Sequence, residues 1–230
     1  MIVAIHQPQY LPWLGYFDKI DRADVFCFLD NVQYKKNEWQ NRNRIKTAGG
    51  WQWMTVPVHY RFGQSIRTIA IDLRADWRRR HLQAIRTNYG SAPYFDRYFG
   101  FFEELYEKEW EYLGDLNIRA VERLCGVMEM GAVRTIRASA MTLPSDPTGR
   151  LIEICRQLGA DTYLAGEGGA AYMDLNRFSE SGINVVFQNF NHPDYRQLFG
   201  PFQSRLSIID LLMNHGPESV GIIRGEQGCI

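Results

Sequence analysis

A histidine stands at the end of the first apolar run of this chain. Residues 1–5 are Met-Ile-Val-Ala-Ile, and His6 and Gln7 follow, ahead of Pro8 and Pro12. Because the prolines cannot continue a helix or a central strand, His6 and Gln7 are expected at the end of a strand. Open α/β sheets carry their chemistry at such strand ends. His6 is therefore a candidate general base or hydrogen-bond donor, with a histidine satisfied by backbone groups as the alternative.

A mixture of amides, bases, one acid and a tryptophan follows the second apolar run, residues 24–30. Arg and Lys side chains make charge-assisted contacts to phosphate, and Asn and Gln add directional hydrogen bonds. A solvated basic loop over residues 31–46 is the alternative. Asp30 is a second candidate base, and the candidate binding residues of this segment are Gln33, Lys36, Trp39, Gln40, Asn41, Arg42 and Asn43.

A glycine-rich turn lies later in the chain. Gly166-Glu167-Gly168-Gly169 follows a short apolar run and precedes Tyr172. The backbone N–H groups of such a turn can bind a phosphate or carboxylate at a helix start, although the Lys-Ser/Thr of a P-loop is missing and a tight structural turn is the alternative. If these stretches leave the sheet at one edge, a common pocket should gather His6, Gln7, Asp30, Gln33, Lys36, Asn41, Arg42 and residues 166–172, Gly166 and Tyr172 included.

The composition is typical of a globular protein. Apolar residues make up 45% of the 230 residues, and Lys+Arg and Asp+Glu number 26 each. This balance argues against a general nucleic-acid binder, which needs a basic face. The four cysteines lack the paired spacing of a zinc site or a disulfide framework. No apolar stretch reaches the roughly 18 residues of a membrane span. These features favour a cytoplasmic enzyme or binding protein without a metal site.

The periodicity of the apolar residues predicts a single α/β domain over residues 1–230. A strand, a helix over residues 13–22 and a second strand follow one another within the first 30 residues, which favours a parallel βαβ unit. Further strands are expected over 51–58, 65–71, 132–138, 161–165 and 182–190, and helices over 147–158 and 206–213. Helical spacing dominates residues 74–130. The expected fold is Rossmann-like, with a mostly parallel central sheet and a helical insertion at one side.

These residues resemble the WbqC-like protein family over nearly the whole chain. The matching stretches are residues 6–20, 28–34, 39–46, 163–166 with Tyr172, and 206–212 with Asn214 and Gly216. The first stretch contains Tyr10, a further candidate for substrate binding. Members of the family lie in bacterial O-antigen and other surface-polysaccharide clusters. The resemblance implies a transferase of lipopolysaccharide synthesis that attaches glycine or another acyl group to an amino sugar.

The opening βαβ unit is also similar in layout to pantothenate synthetase and related nucleotidylyltransferases, a fold that carries out ATP-dependent amide formation. The His-x-Gly-His motif of that superfamily is absent, since Leu14-Gly15-Tyr16 stands near its place. This likeness implies a Rossmann-like fold and leaves the use of ATP open.

Two classes of function follow from the sequence. The leading hypothesis is acyl or aminoacyl transfer to a nucleotide-linked amino sugar, in which His6 deprotonates the amine and the Lys/Arg segment binds the diphosphate. The donor would be a coenzyme A or carrier-protein thioester, or an acyl-adenylate made from ATP and an amino acid; no cofactor or oligomeric state is implied. The alternative is a non-catalytic binding or assembly subunit of a polysaccharide-synthesis complex, which should expose an extended aromatic surface.

Overall fold

The computed structural model describes residues 1–131, 133–171 and 173–226. The strands of this part of the chain are β1 (Ile2–His6), β2 (Val25–Phe28), β3 (Arg42–Thr47), β4 (Gly50–Thr55), β5 (Val58–His59), β6 (Ala70–Ile71), β7 (Arg134–Arg137), β8 (Thr162–Ala165) and β9 (Asn184–Phe187). The helices are α1 (Leu14–Asp21), α2 (Trp77–Tyr89), α3 (Phe95–Glu107), α4 (Leu113–Val127), α5 (Pro147–Leu158), α6 (Leu175–Glu180), α7 (Ile208–His215) and α8 (Ser219–Arg224).

Five strands form one parallel sheet in the order β7-β2-β1-β8-β9. β1 pairs with β2 on one side, from Val3↔Val25 to His6↔Phe28, and with β8 on the other. The chain builds the sheet outward from β1 through β2 to β7, returns, and builds outward again from β8 to β9. The strand order therefore reverses between β1 and β8. The predicted Rossmann-like parallel sheet is confirmed, and such a reversal is where folds of this kind bind ligands.

Each face of the sheet is covered by its own layer of apolar side chains. Val3 and Ile5 of β1 belong to the apolar cluster that α5 completes, whereas Ala4 belongs to the cluster that includes α1. Because side chains alternate along a strand, His6 lies on the Ala4 face. There its ring meets Tyr16 of α1 edge-on, with ring centroids 4.8 Å apart.

The predicted helical segment over residues 74–130 contains α2, α3 and α4. Helices α2 and α3 pack against each other, and α3 also packs against α7. Their buried side chains belong to the same apolar cluster as α1 and one face of the sheet, so the segment shares the core of that face. None of the helices in the described ranges has the length and apolarity that crossing a membrane requires.

Residues 42–55 form a two-stranded hairpin, where the sequence predicts the end of a basic loop followed by one strand. β3 and β4 pair antiparallel from Arg42↔Thr55 to Thr47↔Gly50. Asn43 and Ile45 are buried, whereas Arg42 and Arg44 are only partly buried. The alternation of a strand is therefore present over residues 42–45 of β3, and Lys46, the next residue, is buried as well. The alternation is hidden in the sequence because the first inward position is a polar asparagine.

Two other predicted strands are shorter than expected. Within residues 65–71, Ile66–Thr68 form a 3₁₀ turn and only β6 is extended. At the end of residues 182–190, β9 stops at Phe187 and Gln188 turns inward. The Gln188 Nε2 atom donates hydrogen bonds to the Gly15 carbonyl oxygen at 2.7 Å and to Asp18 Oδ2 at 2.6 Å. A polar contact to α1 thus replaces continuation of the strand.

Asn43 connects the hairpin to the loop between β1 and α1. Its Nδ2 donates to the carbonyl oxygen of Leu11 at 2.7 Å, and its Oδ1 accepts from the Arg44 backbone N–H at 2.8 Å. Leu11 has a φ of 41°, in the left-handed region that is unfavourable for a leucine. The buried amide therefore helps to hold a strained loop directly after Gln7.

Replacement of Asn43 by alanine should lower the free energy of unfolding by about 1–3 kcal/mol, because buried polar backbone groups lose their partner. Denaturant unfolding monitored by circular dichroism measures this loss. The exposed Asn176 of α6 offers a matched control, and Asn176→Ala should stay within about 0.5 kcal/mol of the native protein. Equal effects of the two substitutions would show that the Asn43 contacts do not stabilise the loop.

Candidate active site

A cavity of about 610 Å³ opens at the carboxyl ends of β1 and β8, where the strand order reverses. We call it the switch-point cavity. It is lined by Ile5, His6, Gln7, Lys19, Leu29, Val32, Lys35, Pro147, Arg150, Leu151, Tyr163, Gly166, Gly168 and Gly169. Its size and mixed apolar and polar lining suit a small-molecule ligand.

The switch-point cavity is lined by basic side chains. Lys19, Lys35 and Arg150 line it, and none of its described lining residues is acidic. The guanidinium of Arg150 is anchored by donating to the backbone oxygens of Pro144 at 3.3 Å and Ser145 at 2.8 Å. Helix α5 begins at Pro147, which also lines the cavity, so the positive end of the α5 dipole lies there. The arrangement attracts an anion such as a phosphate or carboxylate.

Lys19 of α1 is a buried amine in the wall of this cavity. Only 2% of the residue is exposed, and its Nζ donates to the Ile5 carbonyl oxygen at 2.8 Å. The Nζ atom also lies 6.0 Å from the centre of the Tyr163 ring. Burial disfavours the ammonium form and lowers the pKa of Lys19 to about 7. At neutral pH a large fraction of Lys19 is therefore a neutral amine.

His6 is held in one tautomer by the backbone. Its Nδ1 lies 3.1 Å from the Gln7 carbonyl oxygen, which can only accept, so Nδ1 carries the hydrogen. The lone pair of Nε2 remains available as an acceptor. Burial, together with the charge of the nearby Lys19, lowers the pKa of His6 to about 3. His6 is consequently neutral at pH 7, and it binds a proton weakly.

Gln40 holds two residues of the cavity, Gln7 and Lys35, in position through its side-chain amide. Its Nε2 donates to Gln7 Oε1 at 2.6 Å, and its Oε1 accepts from the backbone N–H of Lys35 at 2.9 Å. The backbone oxygen of Gln40 in turn accepts from Asn117 Nδ2 of α4 at 2.7 Å. Gln40 is buried and does not line the cavity. It joins the loops that follow β1 and β2.

Asp30 lies outside the lining of the switch-point cavity, contrary to the shared-pocket prediction. Its side chain is buried, and both carboxylate oxygens are engaged by Ser139. Oδ1 accepts from the Ser139 backbone N–H at 2.9 Å and Oδ2 from the Ser139 hydroxyl at 2.7 Å. These contacts tie the end of β2 to the turn after β7. They are the contacts of a structural carboxylate, so the predicted role as a base gains no geometric support.

Three other candidates are buried in the protein and do not reach the cavity. Tyr10 is fully buried, and its hydroxyl lies 2.8 Å from His81 Nδ1 and also contacts the Tyr106 hydroxyl. Asn41 donates from Nδ2 to the Val56 carbonyl oxygen at 3.0 Å. Asn43 holds the loop at Leu11, as described above. These side chains are polar because they satisfy buried backbone or hydroxyl groups.

Trp39 and Arg42 belong to a surface that surrounds the β3–β4 hairpin. We call this surface, formed by Trp39, Arg42, Arg44, Trp51 and Trp53, the hairpin face. The Arg42 guanidinium lies 4.2 Å from the centre of the Trp53 ring, and the Arg44 guanidinium lies 5.0 Å from that of Trp51. None of the five side chains lines the switch-point cavity in the described structure.

The remaining candidates divide between the cavity and the surface. Gln33 is exposed and forms an isolated bridge with Ser65, and Lys36 is exposed with its Nζ 5.8 Å from the Tyr60 ring centre. The switch-point cavity brings together His6, Gln7 and Gly166. It excludes five residues of the predicted common pocket, Asp30, Gln33, Lys36, Asn41 and Arg42. Tyr172 lies outside the described residues.

Sequence reasoning missed Lys19, Lys35 and Arg150. Lys19 neighbours the apolar residues Phe17 and Ile20, and one lysine beside an apolar helical stripe is usually exposed. The only sequence signal is its place in residues 6–20, the first family-like stretch. In the described residues, no group of three or more His, Cys, Asp or Glu side chains is placed to hold a metal ion.

Comparison with known proteins identifies the family. The model of the WbqC-like protein family matches residues 7–222. The chain is also 38% identical over 226 residues to "Uncharacterized protein Rv1507c" of Mycobacterium tuberculosis (strain ATCC 25618 / H37Rv), a match that covers 96% of this chain and 97% of that protein. No solved structure matches the chain. The extent of the family match and the full-length relative show that this chain belongs to the WbqC-like protein family.

Proposed function

We propose that this protein transfers an acyl or aminoacyl group, glycyl among the candidates, to the amine of a nucleotide-linked amino sugar in bacterial O-antigen or other surface-polysaccharide synthesis. The observation that carries the proposal is the presence of anion-attracting side chains and a buried neutral amine in one cavity. A phosphate-bearing substrate requires the first, and deprotonation of an amine at neutral pH requires the second. A cytoplasmic location is part of the proposal.

In this proposal the phosphates of the sugar nucleotide bind at the Arg150 side of the cavity. Arg150 is fixed by two backbone carbonyl groups, so its guanidinium loses little freedom when it pairs with a phosphate. Lys35 and the start of α5 add positive charge. The described lining contains no carboxylate, so no negative charge there opposes the attraction of a phosphate.

Lys19 is the base that we assign to the reaction. An amino-sugar nitrogen must lose a proton before its lone pair can attack the acyl carbonyl carbon. With a pKa near 7, Lys19 can accept that proton at physiological pH and pass it on to the departing group. The new C–N amide bond forms as the bond from the acyl carbon to the thiol sulfur, or to the phosphate oxygen of an adenylate, breaks.

We propose a role for His6 that differs from the one that the sequence suggested. A histidine with a pKa of about 3 is a poor general base at pH 7. Its Nε2 lone pair, fixed by the hydrogen bond from Nδ1 to Gln7, can accept a hydrogen bond from a hydroxyl or amine of the sugar. We therefore assign His6 to orientation of the acceptor.

A second candidate function is a binding or assembly subunit of a polysaccharide-synthesis complex. The observation that favours it is the hairpin face, where Trp51 and Trp53 are 42% and 38% exposed. The two functions differ in turnover. An enzyme loses turnover when residues of its cavity are substituted, whereas a binding subunit has no turnover of its own.

Lys19→Met should lower turnover by about 10²- to 10⁴-fold while substrate binding persists, because proton removal matters only in the transition state. In the native enzyme kcat/KM should rise with pH through a midpoint near 7, where Lys19 loses its proton. Lys19→Met should lack this step and His6→Ala should retain it. Initial rates from pH 5 to 9 measure both effects, with Lys108→Met as an exposed-lysine control. A pH step lost in His6→Ala instead would make His6 the base.

Nucleotide-linked amino sugars should raise the thermal midpoint of the protein, and Arg150→Gln should weaken their binding by about 10- to 100-fold, the effect of losing a charge-assisted hydrogen bond. Thermal shift across a ligand dilution series measures the dissociation constants. Arg156→Gln is the matched control, because Arg156 is exposed on the same helix away from the switch-point cavity. Equal weakening by both substitutions would place the phosphates elsewhere.

A further inference from the structure

Phe62 is a large apolar side chain held almost entirely in water. It is 93% exposed in the connection between β5 and β6, next to Tyr60, which is 39% exposed. Arg61 and Gly63 on either side of Phe62 are exposed as well. The connection therefore projects an aromatic tip with a basic neighbour.

A series of side-chain contacts connects this aromatic tip to the hairpin face. The Tyr60 ring lies 5.4 Å from the Tyr34 ring, and Lys36 lies over Tyr60. The residue after Lys36, Asn37, accepts a hydrogen bond through its backbone oxygen from the Arg42 guanidinium. The Arg42 guanidinium lies over the ring of Trp53, which belongs to the hairpin face. We call the whole surface the aromatic–basic belt, formed by the hairpin face together with Lys36, Tyr60, Arg61 and Phe62.

The belt concentrates positive charge in a chain whose formal net charge is zero. Lys36, Arg42, Arg44 and Arg61 supply four cations. Within the described segments that form the belt, residues 34–44, 51–53 and 60–62, Glu38 is the one acidic residue. A partner with clustered negative charge is therefore complementary to this surface.

We propose that the aromatic–basic belt binds the surface of an anionic lipid bilayer, with Phe62 inserted among the acyl chains. Trp and Tyr rings favour the boundary between headgroups and hydrocarbon, where one edge is apolar and the other is wet. Arginine and lysine at that depth pair with lipid phosphates. The inference rests on the belt alone and is independent of the proposed transferase activity.

The geometry favours a bilayer over a nucleic acid. Stacking of bases requires free aromatic ring faces. In the hairpin face the guanidinium groups of Arg42 and Arg44 already lie over the rings of Trp53 and Trp51. The fully exposed Phe62 gains most from an apolar phase, since burial of a Phe side chain contributes about 1.5–3 kcal/mol.

Cosedimentation of the full chain with sucrose-loaded vesicles tests the proposal. At low salt the protein should sediment with vesicles of equal parts phosphatidylcholine and phosphatidylglycerol and stay largely in solution with phosphatidylcholine alone. Raising the salt should weaken the binding, because salt screens the charges of the belt, which are exposed or only partly buried. Absence of binding to the anionic vesicles at low salt would overturn the proposal.

Phe62→Ser should weaken vesicle binding by about 10- to 100-fold, the lost burial of one phenylalanine, with an unchanged thermal midpoint. Leu175→Ser is the control, because Leu175 is an apolar residue on α6 that lies outside the belt and is 43% exposed. Unchanged binding of Phe62→Ser, or an equal loss in Leu175→Ser, would contradict insertion of the tip. Absence of binding to anionic vesicles would instead favour docking of the belt on a protein or nucleic acid.

Discussion

The burial of the Lys19 amine beneath the end of β1 is the interaction on which the site depends. Removing an ammonium group from water is costly, and one hydrogen bond to the Ile5 carbonyl oxygen does not restore its hydration. The protein meets this cost by favouring the neutral amine, with a pKa near 7. Between pH 7 and about 10.4 the unfolded chain holds a proton that the folded chain has lost, so this residue makes stability rise with pH across that window. A lysine that lowers stability at neutral pH and faces a cavity is typical of a functional group.

The parallel sheet creates the space that makes this burial possible. The loops after β1 and β8 part where the strand order reverses, and α1 and α5 cover opposite faces of the sheet at that point. Lys19 comes from one helix and Arg150 from the other, so a ligand between them meets an amine on one side and a fixed cation on the other. Gln40 ties the loop that bears Gln7 to the backbone of Lys35, and through Asn117 the helical segment supports this contact. The helical segment thus acts on the site by positioning, without contributing to its lining.

The sheet and the helical segment were predictable because their sequence patterns follow the burial that stabilises them. β1 and β2 are continuous apolar runs, as expected for strands buried on both faces, and α2 to α4 repeat apolar residues at helical spacing. The strand β3 escaped prediction because Asn43 satisfies backbone carbonyls at an inward position. Composition alone cannot reveal such a partner.

The site was less predictable than the fold, because chemistry depends on which polar groups lack internal partners. Asp30 and Tyr10 have residue types that suit a site, but Ser139, His81 and Tyr106 engage them. Lys19 has a residue type that suits a surface, but the tertiary packing of α1 on β1 buries it. Strand ends located His6, Gln7 and Gly166 because the position of a strand end follows from local sequence. The hydrogen-bond partners of a side chain depend on tertiary packing and do not follow from local sequence.

Direct titration of Lys19 tests the central claim of this account. The chain contains the lysines Lys19, Lys35, Lys36, Lys46 and Lys108, so their ¹³Cε signals can be followed individually by NMR after selective labelling. The Lys19 signal is assigned by its absence from the spectrum of Lys19→Met. We expect a titration midpoint near pH 7 for that signal. A midpoint at the ordinary value of about 10.4 would mean that Lys19 is a solvated cation, and would contradict both its burial and its role as a base.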